Sequence, residues 1–304
     1  MAKVIFIPAG DIANAGSRMR CYWPARHMPE ARVVSWDEVR ESGLPDDADA
    51  YVFQKLVDVS LMRALIGAGK LVFWDVCDPA WWWSAAEARE ADEWATAVVA
   101  SNVMLEKDYQ AWSLRPSGTH TISDRLDLAH FDRVKQHHAA DPVRLIWFGA
   151  AQNRAALYAA HANLSRLQAN GLRIALTICD DHPERPFYDI EGAFPVYYTR
   201  WSLAGEVETL TAHDIALLPL YPGPWGTVKS INKRLTAWAC GLPTATGEGY
   251  ETLRGLVTDA GYRRNEGAAG RREVEKYWQA ERSADEWQAL VAFYQRSAEE
   301  AKHG

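Results

Sequence analysis

The stretch Lys229, Ser230, Ile231, Asn232, Lys233 gathers two ammonium groups, a hydroxyl and a carboxamide within five residues. Apolar residues then recur at Ile231, Leu235, Trp238 and Ala239, the i, i+4, i+7, i+8 stripe of a helix that lays one face on a sheet. Gly241 and Pro243 close that helix. The polar cluster therefore falls on a first turn, where backbone N–H groups lack intrahelical partners and the macrodipole adds partial positive charge. Two lysines at that end oppose the dipole unless an anion joins them, so the arrangement suits a phosphate or diphosphate. The simpler reading has Ser230 capping the helix and both lysines in solvent.

Three more polar clusters follow apolar runs. Residues 4–7 lead through Pro8 and Gly10 into Gly16, Ser17, Arg18 and Arg20, where guanidinium groups can hold a phosphate or an acceptor anion. The loop lacks a complete G-x-G-x-x-G, which argues against a nicotinamide dehydrogenase. Residues 71–76 carry Asp75 and run into Asp78, placing carboxylates at the edge of a parallel sheet where ligands bind. Asp78 suits a hydrogen bond from an acceptor hydroxyl, or else it caps a helix before Pro79. Residues 143–148 end at Gly149, followed by Asn153 and Arg154. The glycine lets the backbone approach a ligand, and the two side chains reach a phosphate at a helix start.

The elements that must position these groups alternate. Short apolar runs at 4–7, 33–36, 50–53, 71–76, 97–100 and 119–122 read as strands, and helical patterns at 55–68, 85–94, 101–112 and 127–136 fall between or after them. Strands at 143–148, 172–178, 194–198 and 215–218 repeat the scheme, with residues 221–227 as a loop rich in proline and glycine, Pro222 included. The reading is α/β, with doubly wound parallel sheets. The polar tract before Pro142 marks a boundary, giving domains at 1–140 and 141–280 and a terminal helix at 281–304. His137 and His138, being adjacent, point to different sides and read as solvated.

Composition sets outer limits. At 304 residues the chain is long enough for two cores. A hydrophobic share of 48% with 24% charged residues is that of a globular protein, and the net charge of −7 argues against a non-specific nucleic-acid coat. The four cysteines form no C-x-x-C pair, so neither a zinc site nor a disulfide framework is indicated and a reducing cytoplasm is expected. No apolar run is long enough to span a bilayer or serve as a signal peptide. The tryptophans, including the run Trp81, Trp82, Trp83, read as core or interface packing, with a stacking platform for a sugar or base as the other reading.

The run D-I-A-L-L-P-L from Asp214 to Leu220, K-S-x-N-K from Lys229 to Lys233, and Ala237, Ala239, Gly241 and Pro243 together resemble the nucleotide-sugar half of GT-B glycosyltransferases. The retaining family typified by sucrose and lipopolysaccharide glycosyltransferases is the nearest pattern. The resemblance implies two Rossmann-like domains facing across a cleft, with C-terminal helices crossing back to the first. It implies a nucleotide-diphosphate-sugar donor such as a UDP-sugar, a hydroxyl acceptor, retaining and metal-independent transfer, and no cofactor beyond the donor itself.

Gly149, Asn153, Tyr198 (within 197–201, where the base would be framed), Lys229, Ser230, Ile231, Asn232 and Lys233 become the donor site. Lys233 and Arg154 stabilise the leaving diphosphate, and Asp78 serves the chemistry. Gly16, Ser17, Arg18, Arg20 and Asp75 meet acceptor or phosphate. One departure stands out: the family's Glu-x7-Glu pair falls on Val228 and Thr236. That leaves open a catalytically inactive binder of nucleotides or sugar phosphates, and an enzyme glycosylating hydroxymethylated DNA bases. A saccharide, a protein and a modified nucleic acid all remain open as acceptor.

Overall fold

Short, continuously apolar segments become strands buried on both faces, as parallel sheets require. The computed structural model describes residues 2–115, 118–185, 192–221 and 223–303; Pro222 lies outside them. The first sheet contains β1 (Val4–Ile7), β2 (Ala31–Val33), β3 (Ala50–Gln54), β4 (Leu71–Val76), β5 (Ala97–Ala100) and β6 (Thr119–Thr121) in the order β2-β1-β3-β4-β5-β6. The second contains β7 (Val143–Phe148), β8 (Ile174–Asp180), β9 (Val196–Arg200), β10 (Ile215–Leu217) and β11 (Thr244–Ala245) in the order β11-β10-β7-β8-β9. Every neighbouring pair is parallel, so each sheet gathers its loops of one kind at a single carboxyl edge.

The chain forms two compact units. The first takes residues up to Asp127, Thr227–Ser230 and the chain from Gln279 on; the second takes Leu128–Gly226 and Ile231–Trp278. In the first unit, Ile5, Ile7, Phe53, Trp74 and Val76 face the helices Val59–Gly67, Ala85–Trp94 and Val103–Trp112. Their alternating neighbours Val4, Phe6, Val52, Phe73 and Val99 face the long helix Ala280–His303. Trp287 of that helix is fully buried, edge-on to Phe6 at 5.6 Å and Phe73 at 5.7 Å. In the second unit, Leu145, Trp147, Leu176, Ile178 and Leu217 pack on the helices Tyr158–Ala169 and Tyr250–Thr258. The helices Asn232–Ala239 and Ala260–Tyr277 meet where Gly270 leaves space for the Trp238 ring, which a Cβ would overlap.

Several elements differ from the sequence reading. Residues 127–136 form only a 3-10 turn at Leu128–His130 and then run extended. Distant arginines meet Phe131 O within this stretch and the carbonyls of His137 and His138 just past it. Arg271 donates to Phe131 O at 3.3 Å, Arg264 to His137 O at 3.1 Å and Arg263 to His138 O at 2.8 Å. The chain therefore passes to the second unit after Asp127, ahead of residue 141. His137 is buried with its ring on Gly241 O at 2.9 Å, and only His138 is exposed. The helix read at 55–68 begins at Val59 because Lys55 has φ 62° and Asp58 supplies the cap. Residues 221–227 are not all loop, since Pro224–Val228 is a short helix. All four cysteines are free thiols, and no helix among the described residues is long and apolar enough to cross a membrane.

Asp214, first residue of the D-I-A-L-L-P-L run, is structural. Its carboxylate accepts the Arg144 N–H at 2.9 Å and lies 3.1 Å from the Lys135 ammonium. Burial opposes the charge, but these donors outweigh it and hold the carboxyl below its ordinary value. A depressed carboxyl stabilises the fold at every pH above its unfolded value of about 3.9, and that contribution disappears as pH falls through the lower folded value. Urea unfolding of the second unit should therefore weaken below about pH 4, and Asp214→Asn should lose this part of the acid dependence. Trp287→Ala should cost the first unit about 3–5 kcal/mol, read by denaturant unfolding. A loss under about 1 kcal/mol would show that Trp287 does not key the terminal helix to the sheet.

Candidate active site

The second sheet delivers β7 to Gly149, whose φ is 152° and whose N–H bonds Cys179 O at 3.1 Å. The helix Asn232–Ala239 lays Lys233 directly over this glycine. A Cβ at position 149 would lie 2.5 Å from Lys233 Nζ and 2.8 Å from its Cε. The same ammonium sits 5.0 Å from the centroid of the Trp147 ring on β7, a cation–π distance. No side chain caps the helix: the N-cap position is Ile231, and the first turn contains no acidic residue. Gly149, Ile231, Asn232 and Lys233 thus come together as an ammonium beside an uncapped helix start, an arrangement that attracts an anion.

The sheet of the first unit presents a different picture at its carboxyl edge. Ser17 is buried; its hydroxyl accepts the Gly10 N–H at 3.0 Å and donates to Gln54 Oε1 at 3.0 Å. Gly16 lies against Asn14, Cys77 and Gln54. Arg18 is buried, bonded to the carbonyls of Ile12 at 3.1 Å and Ala13 at 2.9 Å, and 5.2 Å from the Trp23 ring. Arg20 and Asp75 form a buried pair, with Nε 3.0 and 3.2 Å from the carboxylate oxygens. Arg20 also reaches Ile122 O and, at 3.5 Å, Asp124. These side chains were read as ligands for phosphate or acceptor. The structure corrects that: Ser17, Arg18, Arg20 and Asp75 are turned inward, where each finds a partner inside the unit, and they shape the loop after β1.

Asp78 follows β4 at this edge with its side chain 14% exposed. It pairs with the ammonium groups of both Lys55 and Lys229. Burial works against its charge, yet the two lysines prevail and hold the carboxyl below its ordinary range. So low a basicity suits a hydrogen-bond acceptor better than a proton-abstracting base. It does not cap a helix, because the 3-10 turn Ala80–Trp82 has Pro79 at its N-cap.

The pairing with Asp78 also divides the five-residue cluster. Lys229 and Ser230 lie in Thr227–Ser230, part of the first unit, whereas Ile231, Asn232 and Lys233 belong to the second. Lys229 and Ser230 precede the helix rather than forming its first turn. Val228 is buried in the core of the first unit, and its carbonyl accepts Asn102 Nδ2 at 2.9 Å.

No family model and no curated protein matches the sequence. Solved structures do match the fold. HepE of Anabaena, in complex with UDP and glucose, aligns with TM-score 0.69 over 96% of this chain and 100% of its own at 11% identity. A glycosyltransferase from Rickettsia africae aligns with TM-score 0.66 over 95% of this chain and 98% of its own at 8% identity. A mutant TarM of S. aureus, in complex with Fondaparinux, alpha-GlcNAc-glycerol and UDP, gives 0.58 over 79% and 55% at 8% identity. The fold is GT-B.

At the second anion site read at Asn153 and Arg154, the Arg154 guanidinium and the Ala151 N–H are taken by the protein's own acids. Residues Ala151–Leu157 are a 3-10 helix, and the Ala151 N–H is taken by Asp181 at 2.8 Å. Arg154 is buried, with Nε 2.5 Å and Nη2 2.8 Å from the Asp180 carboxylate. It also holds the carbonyls of His182, at 2.7 Å, and Arg185. Tyr198 on β9 lies under this guanidinium at 5.7 Å. Arg154 thus braces the turn after β8 with the Tyr198 ring beside it, where the sequence reading had both as donor ligands.

Sequence reasoning missed Glu206, which is buried beside the carboxyl ends of β7 and β8. It accepts Trp201 Nε1 at 3.0 Å and sits 3.2 Å from His130 Nε2. Its helix, Glu206–Thr211, contains no motif that would have flagged it.

Arg154→Ala should leave Asp180 buried without its guanidinium and destabilise the second unit by about 3–5 kcal/mol in urea unfolding. If instead the variant kept its stability and lost only nucleotide affinity, Arg154 would be a donor ligand after all.

Proposed function

We propose that this chain is a glycosyltransferase that moves a sugar from a UDP-sugar to a hydroxyl acceptor, with retention and without a metal. The observation that supports it most is the Lys233 ammonium lying over Gly149 at the uncapped start of the helix Asn232–Ala239. In transfer the bond from the anomeric carbon to the β-phosphate oxygen breaks, and negative charge grows on the diphosphate. Lys233 and the first-turn N–H groups are preorganised for that charge, the contribution that is usually largest in such reactions. They supply the positive charge that a metal would otherwise bring. The solved HepE and TarM complexes contain UDP, which supports this nucleotide as the donor's leaving group here.

A second reading rests on one observation: Val228 and Thr236, where the resembled family has acids, are both buried. It gives a protein that binds the nucleotide without turning the sugar over. Titration calorimetry and a product assay separate the two. Wild-type protein should bind UDP, and Lys233→Ala should weaken binding by about 1–3 kcal/mol, five- to 150-fold. Gly149→Ala should also weaken it, because the new methyl displaces the ammonium. Equal affinity in wild type and Lys233→Ala would remove the assignment, and tight UDP binding with no release of UDP from UDP-glucose would favour the binder.

A further inference from the structure

We infer that a cavity at the amino edge of the first sheet binds a small organic amine, a ligand distinct from both substrates of the proposed transfer. The cavity measures about 570 Å³, within the range of small-molecule sites, and lies inside the first unit between the start of β1 and the helix Ala280–His303. Val4 opens β1 and Asp49 immediately precedes β3, so the cavity is at the end of the sheet opposite to Asp78, which follows β4. The inference does not depend on the glycosyltransferase reading.

Both walls are fixed. Lys3 N–H bonds Asp49 Oδ2 at 2.8 Å, and Lys3 O accepts the N–H groups of Asp49 at 2.9 Å and Ala50 at 3.2 Å, which stitches the entry of β1 to that of β3. Opposite them, Trp287 and Val291 bury the terminal helix against the sheet. On this helix Asp285, Gln288, Ala292 and Gln295 follow one another at intervals of three or four residues, a spacing that sets them along one side. The short side chains of Ala289 and Ala292 leave the space beside β1 open. Buried Val4 and Val291 form its floor, with half-buried Ala2 and Ala292 next to them.

The rim selects the ligand. Among the described residues, the Asp285 carboxylate and the Gln288 and Gln295 carboxamides make no hydrogen bond or ion pair, and Asp49 gives one oxygen to the Lys3 N–H. A carboxylate only accepts hydrogen bonds, so the ligand must donate them, and an ammonium makes those bonds charge-assisted. An aliphatic body on the amine covers Val4 and Val291. Among the described residues no aromatic ring lines the cavity, so a quaternary ammonium, which cannot donate and relies on ring faces, does not match. A bare metal ion does not match either, because no three His, Cys, Asp or Glu side chains among the described residues could hold one. Anions are repelled by the two carboxylates.

Hexylamine and 1,6-diaminohexane, titrated into the full chain at pH 7 and 0.15 M salt by calorimetry and ligand-observed NMR, test the site. At least one should bind saturably with one molecule per chain. Ala289→Phe fills the cavity without changing the charge and should weaken that binding about tenfold or more. Asp285→Asn, at an exposed position, should weaken it about three- to fivefold. Both variants should keep the wild-type melting temperature. Hexyltrimethylammonium, which has the charge but no N–H, should bind about tenfold more weakly than hexylamine. Absence of saturable binding by either amine would overturn the inference. Unchanged affinity in Ala289→Phe would do so too, since it would put the amines on the acidic surface at large, and so would hexyltrimethylammonium binding as tightly as hexylamine.

Discussion

An ammonium pressed against a glycine that has no room for a methyl is the constraint on which the second unit's chemistry depends. Lysine at a helix N-terminus is unfavourable by about 0.3–1 kcal/mol, because its charge meets the positive end of the dipole. The Trp147 face returns about 0.5–2 kcal/mol of that. The two effects are of similar size, so Lys233 is held over Gly149 at little net cost. Arg154, with Asp180 at hydrogen-bond distance, has its charge neutralised from within.

The same contrast explains what could be read from the chain. Strands were legible because buried parallel strands are continuously apolar, and β1, β4, β5 and β7 were read with the bounds they have. Gly149 and Lys233 were legible because their signals are local: a missing side chain at a strand end, and a lysine where a helix must start. The fate of Arg18, Arg20, Asp75 and Arg154 was not. A charged residue near a strand end faces ligand or interior according to partners that sequence order does not bring near. Arg20 finds Asp75 across 55 positions, and Lys229 finds Asp78 across 151. The stretch at 127–136 failed for the same reason, its Phe131 carbonyl being met by an arginine 140 positions away.

Val228 gives the departure from the Glu-x7-Glu pattern a physical cause. Its side chain is buried in the apolar core of the first unit, an environment in which an ionised carboxylate would be costly. The residue has become an anchor, reinforced by Asn102 on its carbonyl and by Lys229 on Asp78. The chain passes from the first unit to the second between Ser230 and Ile231, and the helix bearing Lys233 begins at Asn232. The start of that helix is therefore covalently adjacent to a segment held at three points. An acid at position 228 would lose the apolar burial, one of the three holds, while the Asn102 and Asp78 contacts do not depend on that side chain.

The state of Asp78 bears on how a proton could leave the acceptor hydroxyl in the proposed transfer. A general base works best with a pKa near the operating pH, which for a carboxylate requires burial or a neighbouring acid to raise it. Asp78 is displaced the other way, because Lys55 and Lys229 stabilise its charged form more than burial penalises it. It can orient a hydroxyl, but it is too weak a base to remove the proton ahead of bond formation. In the proposed transfer another acceptor is the oxygen of the departing diphosphate, which gains charge as the anomeric bond stretches. For that oxygen to take the proton, the hydroxyl must approach on the face from which the diphosphate leaves. A bond formed on that face keeps the anomeric configuration, which is the outcome proposed above.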